Sequence, residues 1–433
     1  MLVRDGRQMF NGSPVRLPPP VPCAAISGVL RLRFASLTAL RMTVNGRAKR
    51  RTSFTDHGSE AYAFPMLPAS CRWRAAALVF FCAVAHTTFA AETKRLVEFG
   101  WDEPGTAFMR AHIKEMERTP FDGCVFHVDS KRPEGGTGRF TWECWGTREF
   151  SEAELIGASD DLAEIAGSPF RHNFLRFNTT PAKLDWFDDY AAVVANARLA
   201  ARLARAGRCP GILLDIEQYE GPLFNFGKQR DAKIKSWDAY AEQVRRRGRE
   251  IMEAFQQSYP DVVVFLTFGY SLPWEESQAG KKPLAECSYG LLAPFLDGMV
   301  EAAEGRTRIV DGYELSYGFK DPARFGVAAQ TMRHDLLPIV RDPPKYGRIL
   351  SVGFGLWLDH QWRQLGWNAQ EPAKNYFTPE ALEASARAAL DAADQYVWIY
   401  SETPRWWSAE GRTDKLPPAY DAALRAARQP RHP

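Results

Sequence analysis

The chain has 433 residues, of which 45% are hydrophobic and 25% charged, close to the average of soluble globular proteins. Its net charge of +3 is unevenly distributed, because the first 91 residues hold 12 Lys and Arg but only 3 Asp and Glu. The remainder therefore carries a net charge of −6, which argues against nucleic acid as the main partner.

Residues 66–91 have the pattern of a secretory signal peptide. Arg72 and Arg74 precede an apolar run over 75–85, and small residues follow at Ala90 and Ala91. The run is too short and wrongly flanked for a membrane span, so we expect a secreted or periplasmic protein without stable membrane association after cleavage. Residues 1–65 are rich in Arg and Pro and lack periodicity. We interpret them as a non-native extension of the reading frame, with a disordered leader as the alternative.

Four cysteines follow the predicted cleavage site: Cys124, Cys144, Cys209 and Cys287. No pair of them has metal-ligand spacing, and they are too few for a disulfide scaffold. One disulfide is possible in an exported protein, and the sequence does not assign it.

Short apolar runs alternate with helical segments from residue 92 onward. Strands are predicted over 96–101, 123–128, 174–178, 211–217, 262–268, 309–316, 349–357 and 396–401. Helices are predicted over 107–118, 186–206, 237–259, 291–304, 322–340 and 379–393. Repeated strand–helix units imply parallel strands, and eight of them indicate a (β/α)8 TIM barrel, one catalytic domain over 92–433. Residues 129–167 are predicted to be an insertion. An open doubly wound sheet is the alternative, but no glycine-rich phosphate loop follows the first strand.

The fourth predicted strand ends in two carboxylates. Asp215 and Glu217 are two residues apart, so on a strand both point to the same face. Two close carboxylates shift each other's proton affinities, which suits one to donate a proton while the other stays charged. Barrel enzymes place their chemistry at this end of the strands.

Polar and aromatic residues gather at the other strand ends as well. Candidate polar contacts to a substrate are Asp102, His127, Arg176, Asn178, Asp359 and Glu402. Candidate aromatic contacts are Trp101, Tyr219, Tyr270, Tyr313, Tyr317, Trp357, Trp406 and Trp407. Aromatic faces beside paired acids are typical of a sugar-binding cleft. Arg176 favours an acidic or sulfated sugar if it faces inward, or else it forms a structural ion pair with Asp215 or Glu217.

With these features the chain resembles a glycoside-hydrolase-type barrel. Its Asp215-Ile216-Glu217 motif is similar to that of family-18-type chitinases and family-25-type muramidases. That resemblance implies that Glu217 is the general acid and that Asp215 stabilises the substrate's 2-acetamido group. A second layout, that of α-galactosidase-like barrels, implies Asp215 as nucleophile and Glu314 as acid/base. The assignment between these layouts stays open.

The sequence therefore predicts an exported glycoside hydrolase that cleaves a poly- or oligosaccharide by carboxylate acid/base catalysis, with no cofactor and no resident metal. One alternative is a non-catalytic carbohydrate-binding barrel. Another is a metal-assisted hydrolase whose ion is held by Asp215, Glu217 and His127.

Overall fold

The computed structural model describes residues 93–101, 103–132, 135–407 and 416–430. The predicted leader over 1–65, the predicted signal peptide over 66–91 and Asp102 lie outside the described residues, and the predictions for them stay predictions.

Eleven strands occur in the described part of the chain. They are β1 (Arg95–Gly100), β2 (Gly123–Phe126), β3 (Ser130–Lys131), β4 (Thr137–Gly138), β5 (Phe174–Asn178), β6 (Gly211–Asp215), β7 (Val263–Leu266), β8 (Arg308–Asp311), β9 (Leu350–Val352), β10 (Phe354–Trp357) and β11 (Tyr396–Ser401). Strands β3 and β4 pair only with each other, as a short antiparallel hairpin. The other nine form one parallel sheet.

The parallel sheet has the order β10-β11-β1-β2-β5-β6-β7-β8-β9. Its two outermost strands, β9 and β10, are consecutive in the chain and are separated only by Gly353. Strands β9 and β10 therefore together take the position of one strand of an eight-stranded barrel. The sheet curls into a nearly closed barrel with helices around it. The predicted (β/α)8 class is confirmed.

Two layers of apolar side chains hold the barrel together. The interior is filled by Val97, Phe99, Val125, Phe174, Leu213, Phe265, Val310, Tyr396, Trp398 and Tyr400. Alternate residues of the same strands, such as Ile212 and Leu214, point outward and join the larger core beneath the helices. Burial on both faces explains why these strands read as continuous apolar runs in the sequence.

The helices are Thr106–Met116, Phe140–Glu143, Ile156–Ile165, Ala191–Ala206, Trp237–Ser258, Ser271–Glu276, Leu292–Ala302, Ala323–Gln330, Pro343–Ile349, Trp362–Leu365, Pro379–Ala392 and Pro418–Ala427. The helix predicted over 186–206 begins only at Ala191, because Trp186 and Asp185 belong to the preceding loop. The helix predicted over 322–340 is broken, since a π-turn at Thr331–Asp335 and a 3₁₀ turn at Leu337–Ile339 follow Ala323–Gln330.

Residues 129–167 contain the β3–β4 hairpin, a short helix and the helix Ile156–Ile165. That last helix belongs to the outer layer: Leu162 is buried in the core, and Asp161 accepts a hydrogen bond from Thr106 at the start of the helix Thr106–Met116. All four cysteines of the described residues are buried free thiols. Within the same residues, no helix is long and apolar enough to cross a membrane.

Candidate active site

Asp215 and Glu217 lie at the carboxyl end of β6, inside the barrel. Leu213 points into the barrel interior, and the alternation of a strand carries Asp215 to the same side. Asp215 is completely buried, and Glu217 is 7% exposed. The backbone N–H of Glu217 donates to Oδ1 of Asp215 over 3.1 Å, so the turn after β6 also fixes the distance between the two residues.

Arg176 on the neighbouring strand β5 holds Asp215. Its Nε donates to Oδ2 of Asp215 over 2.9 Å, and its Nη2 donates to the same oxygen. Its Nη1 donates to Oε2 of Glu103 over 3.0 Å. The guanidinium is buried, with 6% of the side chain exposed. Of the two interpretations of Arg176, the structure shows the ion pair with Asp215.

Glu103 follows β1 and reaches Arg176 across the end of β2. Burial alone would raise the pKa of Glu103, but the charges of Arg176 and His127 outweigh burial and lower it. His127, at the end of β2, places Nδ1 2.7 Å from the backbone oxygen of Glu103. The guanidinium of Arg176 also lies over the rings of Trp142 and Phe99, at 4.6 Å and 5.2 Å from their centroids. Arg176 is therefore fixed by charges and by rings.

Asn178 and Tyr219 complete the contacts of the two acids. The amide of Asn178 donates to Oδ2 of Asp215 over 3.4 Å. The hydroxyl of Tyr219 donates to Oε2 of Glu217 and accepts from Nη2 of Arg176 over 3.3 Å. Five residues predicted from the sequence thus share one network: Arg176, Asn178, Asp215, Glu217 and Tyr219.

Burial raises the pKa of Glu217 to about 7, and the negative charge of Asp215 adds to the shift. The hydroxyl of Tyr219 and the charge of Arg176 act in the opposite direction but do not cancel it. A carboxyl group that titrates near neutrality can both donate and accept a proton under physiological conditions. Glu217 has the proton affinity that acid/base catalysis requires.

Glu314 is the third acid of the group. Burial and the charges of Glu217 and Asp215 raise its pKa well above the ordinary value of 4.5. Oε2 of Glu314 is buried and has no hydrogen-bond partner among the described residues. Glu314 is not on a strand as predicted: β8 ends at Asp311, and Glu314 begins a 3₁₀ turn after Tyr313, whose φ of 40° is left-handed. Within that turn the backbone N–H of Tyr313 donates to Oδ1 of Asp311 over 3.0 Å, and the N–H of Glu314 donates to the backbone oxygen of Thr267.

A second group of predicted residues surrounds Asp359 and Glu402, after β10 and β11. Asp359 accepts from Nε1 of Trp357 and from the backbone N–H groups of Glu402 and Thr403. Glu402 accepts from Nη2 of Arg363 and from the indole of Trp362. Tyr317 stacks on Tyr400 at 5.6 Å and contacts the edge of Trp357. These acids hold the rings of the barrel mouth in place.

The remaining predicted aromatics are dispersed. Trp101 is 43% exposed in the loop after β1. Tyr270 is buried beneath the helices and donates to Asp297 over 2.8 Å, and the ring of Tyr313 packs on Phe319 and Phe354 of the outer core. Trp406 and Trp407 make edge contacts with Phe121 and Phe170, which precede β2 and β5 at the opposite end of the barrel. The structure does not bring these last four residues to the two acids.

Sequence reasoning missed Glu103 and Trp142. Glu103 stands next to the predicted contact Asp102, and its position directly after β1 is the signal in the sequence that points to it. Trp142 lies in the segment interpreted as an insertion, where no strand end marks it. In the described ranges no group of three or more His, Cys, Asp and Glu side chains is arranged to hold a metal ion.

No protein-family model matches the chain, and no curated protein does. Several solved structures align with it at low identity and low TM-score. A GH5_18 structure from Streptomyces cattleya in complex with GlcNAc is 12% identical, with a TM-score of 0.41 over 78% of this chain and 80% of that one. A GH18 chitinase from Pseudoalteromonas aurantia is 7% identical, with a TM-score of 0.40 over 76% and 99%. Triosephosphate isomerase from Bartonella henselae is 10% identical, with a TM-score of 0.31 over 71% and 92%.

Proposed function

We propose that this protein is an exported glycoside hydrolase in which Glu217 is the general acid/base. One observation carries the proposal: Glu217 lies beside Asp215 at the carboxyl end of β6, with its pKa raised to about 7 by burial and by the charge of Asp215. A glycosidic oxygen must be protonated as it leaves, and an acid with a pKa near neutrality holds that proton at physiological pH.

Asp215 supplies the negative charge of the pair. Arg176 donates to its Oδ2 and the N–H of Glu217 donates to its Oδ1, and the carboxylate held in this way is placed to stabilise the positive charge that develops on the sugar ring. The neutral form of Glu314, favoured by its raised pKa, makes it a hydrogen-bond donor in the same mouth. The half-buried rings of Tyr317 and Trp357 lie at the barrel mouth, where they can contact the apolar surface of a sugar.

The test is a panel of poly- and oligosaccharides incubated with the protein beginning near Glu92, with released reducing ends as the measurement. Wild type should release sugar from at least one member of the panel, and Glu217→Gln and Asp215→Asn should each abolish release. Asp297→Asn is the matched control, because Asp297 is a largely buried acid of raised pKa that bonds Tyr270 away from the site. Full activity in both site variants would overturn the proposal.

A non-catalytic carbohydrate-binding barrel is the second candidate. It is favoured because the Asp215 carboxylate is already fully hydrogen-bonded within the protein. Both oxygens of this carboxylate already accept hydrogen bonds, Oδ1 from the Glu217 backbone and Oδ2 from Arg176 and Asn178. Binding of a glycan without any released product, measured calorimetrically on the same panel, would support this candidate against hydrolysis.

Export rests on the signal-peptide pattern over residues 66–91. Expression of the full chain with its own amino terminus, followed by sequencing of the mature protein, tests it. Cleavage near Ala90 or Ala91 and recovery outside the cytoplasm are expected, and an uncleaved protein retained in the cytoplasm would contradict export.

A further inference from the structure

Arg176 lies near two acids, Asp215 and Glu217, and could form an ion pair with either of them. Its charge acts on Asp215 through direct hydrogen bonds and also on Glu217, which lies two residues further along the chain. If Nη1 of Arg176 had no partner, the guanidinium could turn and pair with either of these carboxylates. In this structure Nη1 is occupied by Glu103, so that Nε and Nη2 face Asp215.

We propose that Glu103 and Arg176 form a charge clamp that fixes the negative charge on Asp215 and so leaves Glu217 as the proton-bearing member of the pair. Both are positioning residues, since neither is required to touch the reacting atoms. The inference rests on the proposed function, because it explains how the acid of that function stays protonated.

The clamp is built from separate parts of the barrel. Glu103 follows β1, Arg176 lies on β5 and Asp215 ends β6. His127 contacts the backbone of Glu103, and the rings of Trp142 and Phe99 cover the guanidinium. The contacts require an arginine: Nε and Nη2 of one planar guanidinium bond Asp215 while Nη1 bonds Glu103, whereas a lysine ammonium is a point charge that cannot bridge two carboxylates in this way.

The groups that face Glu217 determine what the clamp does. Asp215, Glu314 and Tyr289 surround it together with Arg176 and Tyr219. Two neighbouring acids in a buried place do not both ionise readily, so a charge held on Asp215 disfavours a second one on Glu217. Without Glu103, the positive charge of Arg176 is opposed by one carboxylate fewer, and Glu217 should ionise more easily.

The experiment is a pH titration of Glu217 in the full chain, followed as the infrared carboxyl difference between each protein and the same protein carrying Glu217→Gln. Glu103→Gln should move the Glu217 midpoint to lower pH by at least about half a unit, since a nearby charge acts strongly in a buried site. Asp161→Asn is the matched control: Asp161 is also a buried acid, but it bonds Thr106 and Arg110 in the outer layer rather than Arg176, and its loss should leave the midpoint in place.

An unchanged or higher midpoint in Glu103→Gln would overturn the clamp. If that variant does not fold, Glu103→Asp keeps the charge but shortens the side chain, and it should give a smaller shift in the same direction. A downward shift in a protein that hydrolyses no glycan would uphold the clamp and reject the glycosidase. Hydrolysis that depends on Glu217, with no shift in either variant, would reject the clamp alone.

Discussion

Nε of Arg176 lies 2.9 Å from Oδ2 of Asp215, and both side chains are buried inside the barrel. This ion pair joins β5 to β6 at the end where barrel enzymes keep their catalytic groups. The ion pair should affect both the stability of the fold and the binding of substrates, and different experiments measure these two effects.

Arg176→Met should be strongly destabilising, because it leaves Asp215 as a buried charge without its cation. Breaking one partner of a buried pair costs about 3–5 kcal/mol of unfolding free energy. In an Asp215→Asn background the same substitution should cost less, since Glu103 is then the one carboxylate that loses its ion pair with Arg176. Urea unfolding of the four proteins measures the difference, and equal costs in both backgrounds would show that the pair has no special role.

The raised pKa of Glu217 makes stability depend on pH. In the unfolded chain the carboxyl has its ordinary pKa of 4.5, and in the folded chain about 7. The folded state therefore binds the proton more tightly, and this contribution to stability, complete below pH 4.5, is lost as pH rises through 7. Relative to wild type, the free energy of unfolding of Glu217→Gln should rise by up to about 3 kcal/mol between pH 4 and pH 8. Unfolding measured at both pH values checks it, and a constant difference would contradict the raised pKa.

The engagement of Arg176 predicts a preference among substrates. Its guanidinium is buried and bonded to Asp215, Glu103 and Tyr219, so it is not available to an anionic sugar. The surrounding carboxyl groups repel such a sugar. Neutral oligosaccharides should bind about tenfold more tightly than their counterparts oxidised to a carboxylate, a difference of about 1.4 kcal/mol. Calorimetry on matched pairs at pH 8 tests this, and tighter binding of the oxidised member would refute it.

Trp398 fills the barrel interior because two glycines make room for its indole. Nε1 donates to the backbone oxygen of Gly312, and a Cβ at Gly355 would lie 2.7 Å from the indole. Gly355→Ala should therefore destabilise the barrel by about 1–3 kcal/mol through overpacking. Gly326→Ala is the control, since no atom lies near that Cβ on its helix, and it should be neutral or stabilising by up to about 1 kcal/mol. Thermal unfolding distinguishes the two.

The eight-fold strand pattern and the shared face of Asp215 and Glu217 were predictable from the sequence, because both follow from local periodicity. The contact between Glu103 and Arg176 was not, since it joins residues 73 positions apart, one just after β1 and the other on β5, and these strands lie on either side of β2 in the sheet. Trp406 and Trp407 illustrate the same limit. They follow a strand end in the sequence, yet the chain turns back and packs them against Phe121 and Phe170 at the other end of the barrel.

The sequence predicted Glu314 near the site, but it did not predict the backbone turn that places Glu314 there. A strand continued to Ser316 would alternate its side chains between the two faces, whereas the left-handed Tyr313 redirects the backbone one residue before Glu314. A non-glycine residue in this conformation is uncommon, and the sequence around Tyr313 does not predict it. Tertiary bonds, here from the Glu314 backbone to Thr267, stabilise the turn.

The most direct test of the account is the leaving-group dependence of Glu217→Gln, measured as kcat/KM on an unactivated glycan and on an aryl glycoside of the same sugar with a good leaving group. A good leaving group departs without protonation, so it does not need the general acid. The account predicts that the variant loses activity on the glycan but retains most of it on the aryl glycoside. Equal losses on both substrates would contradict the assignment of Glu217 as the proton donor.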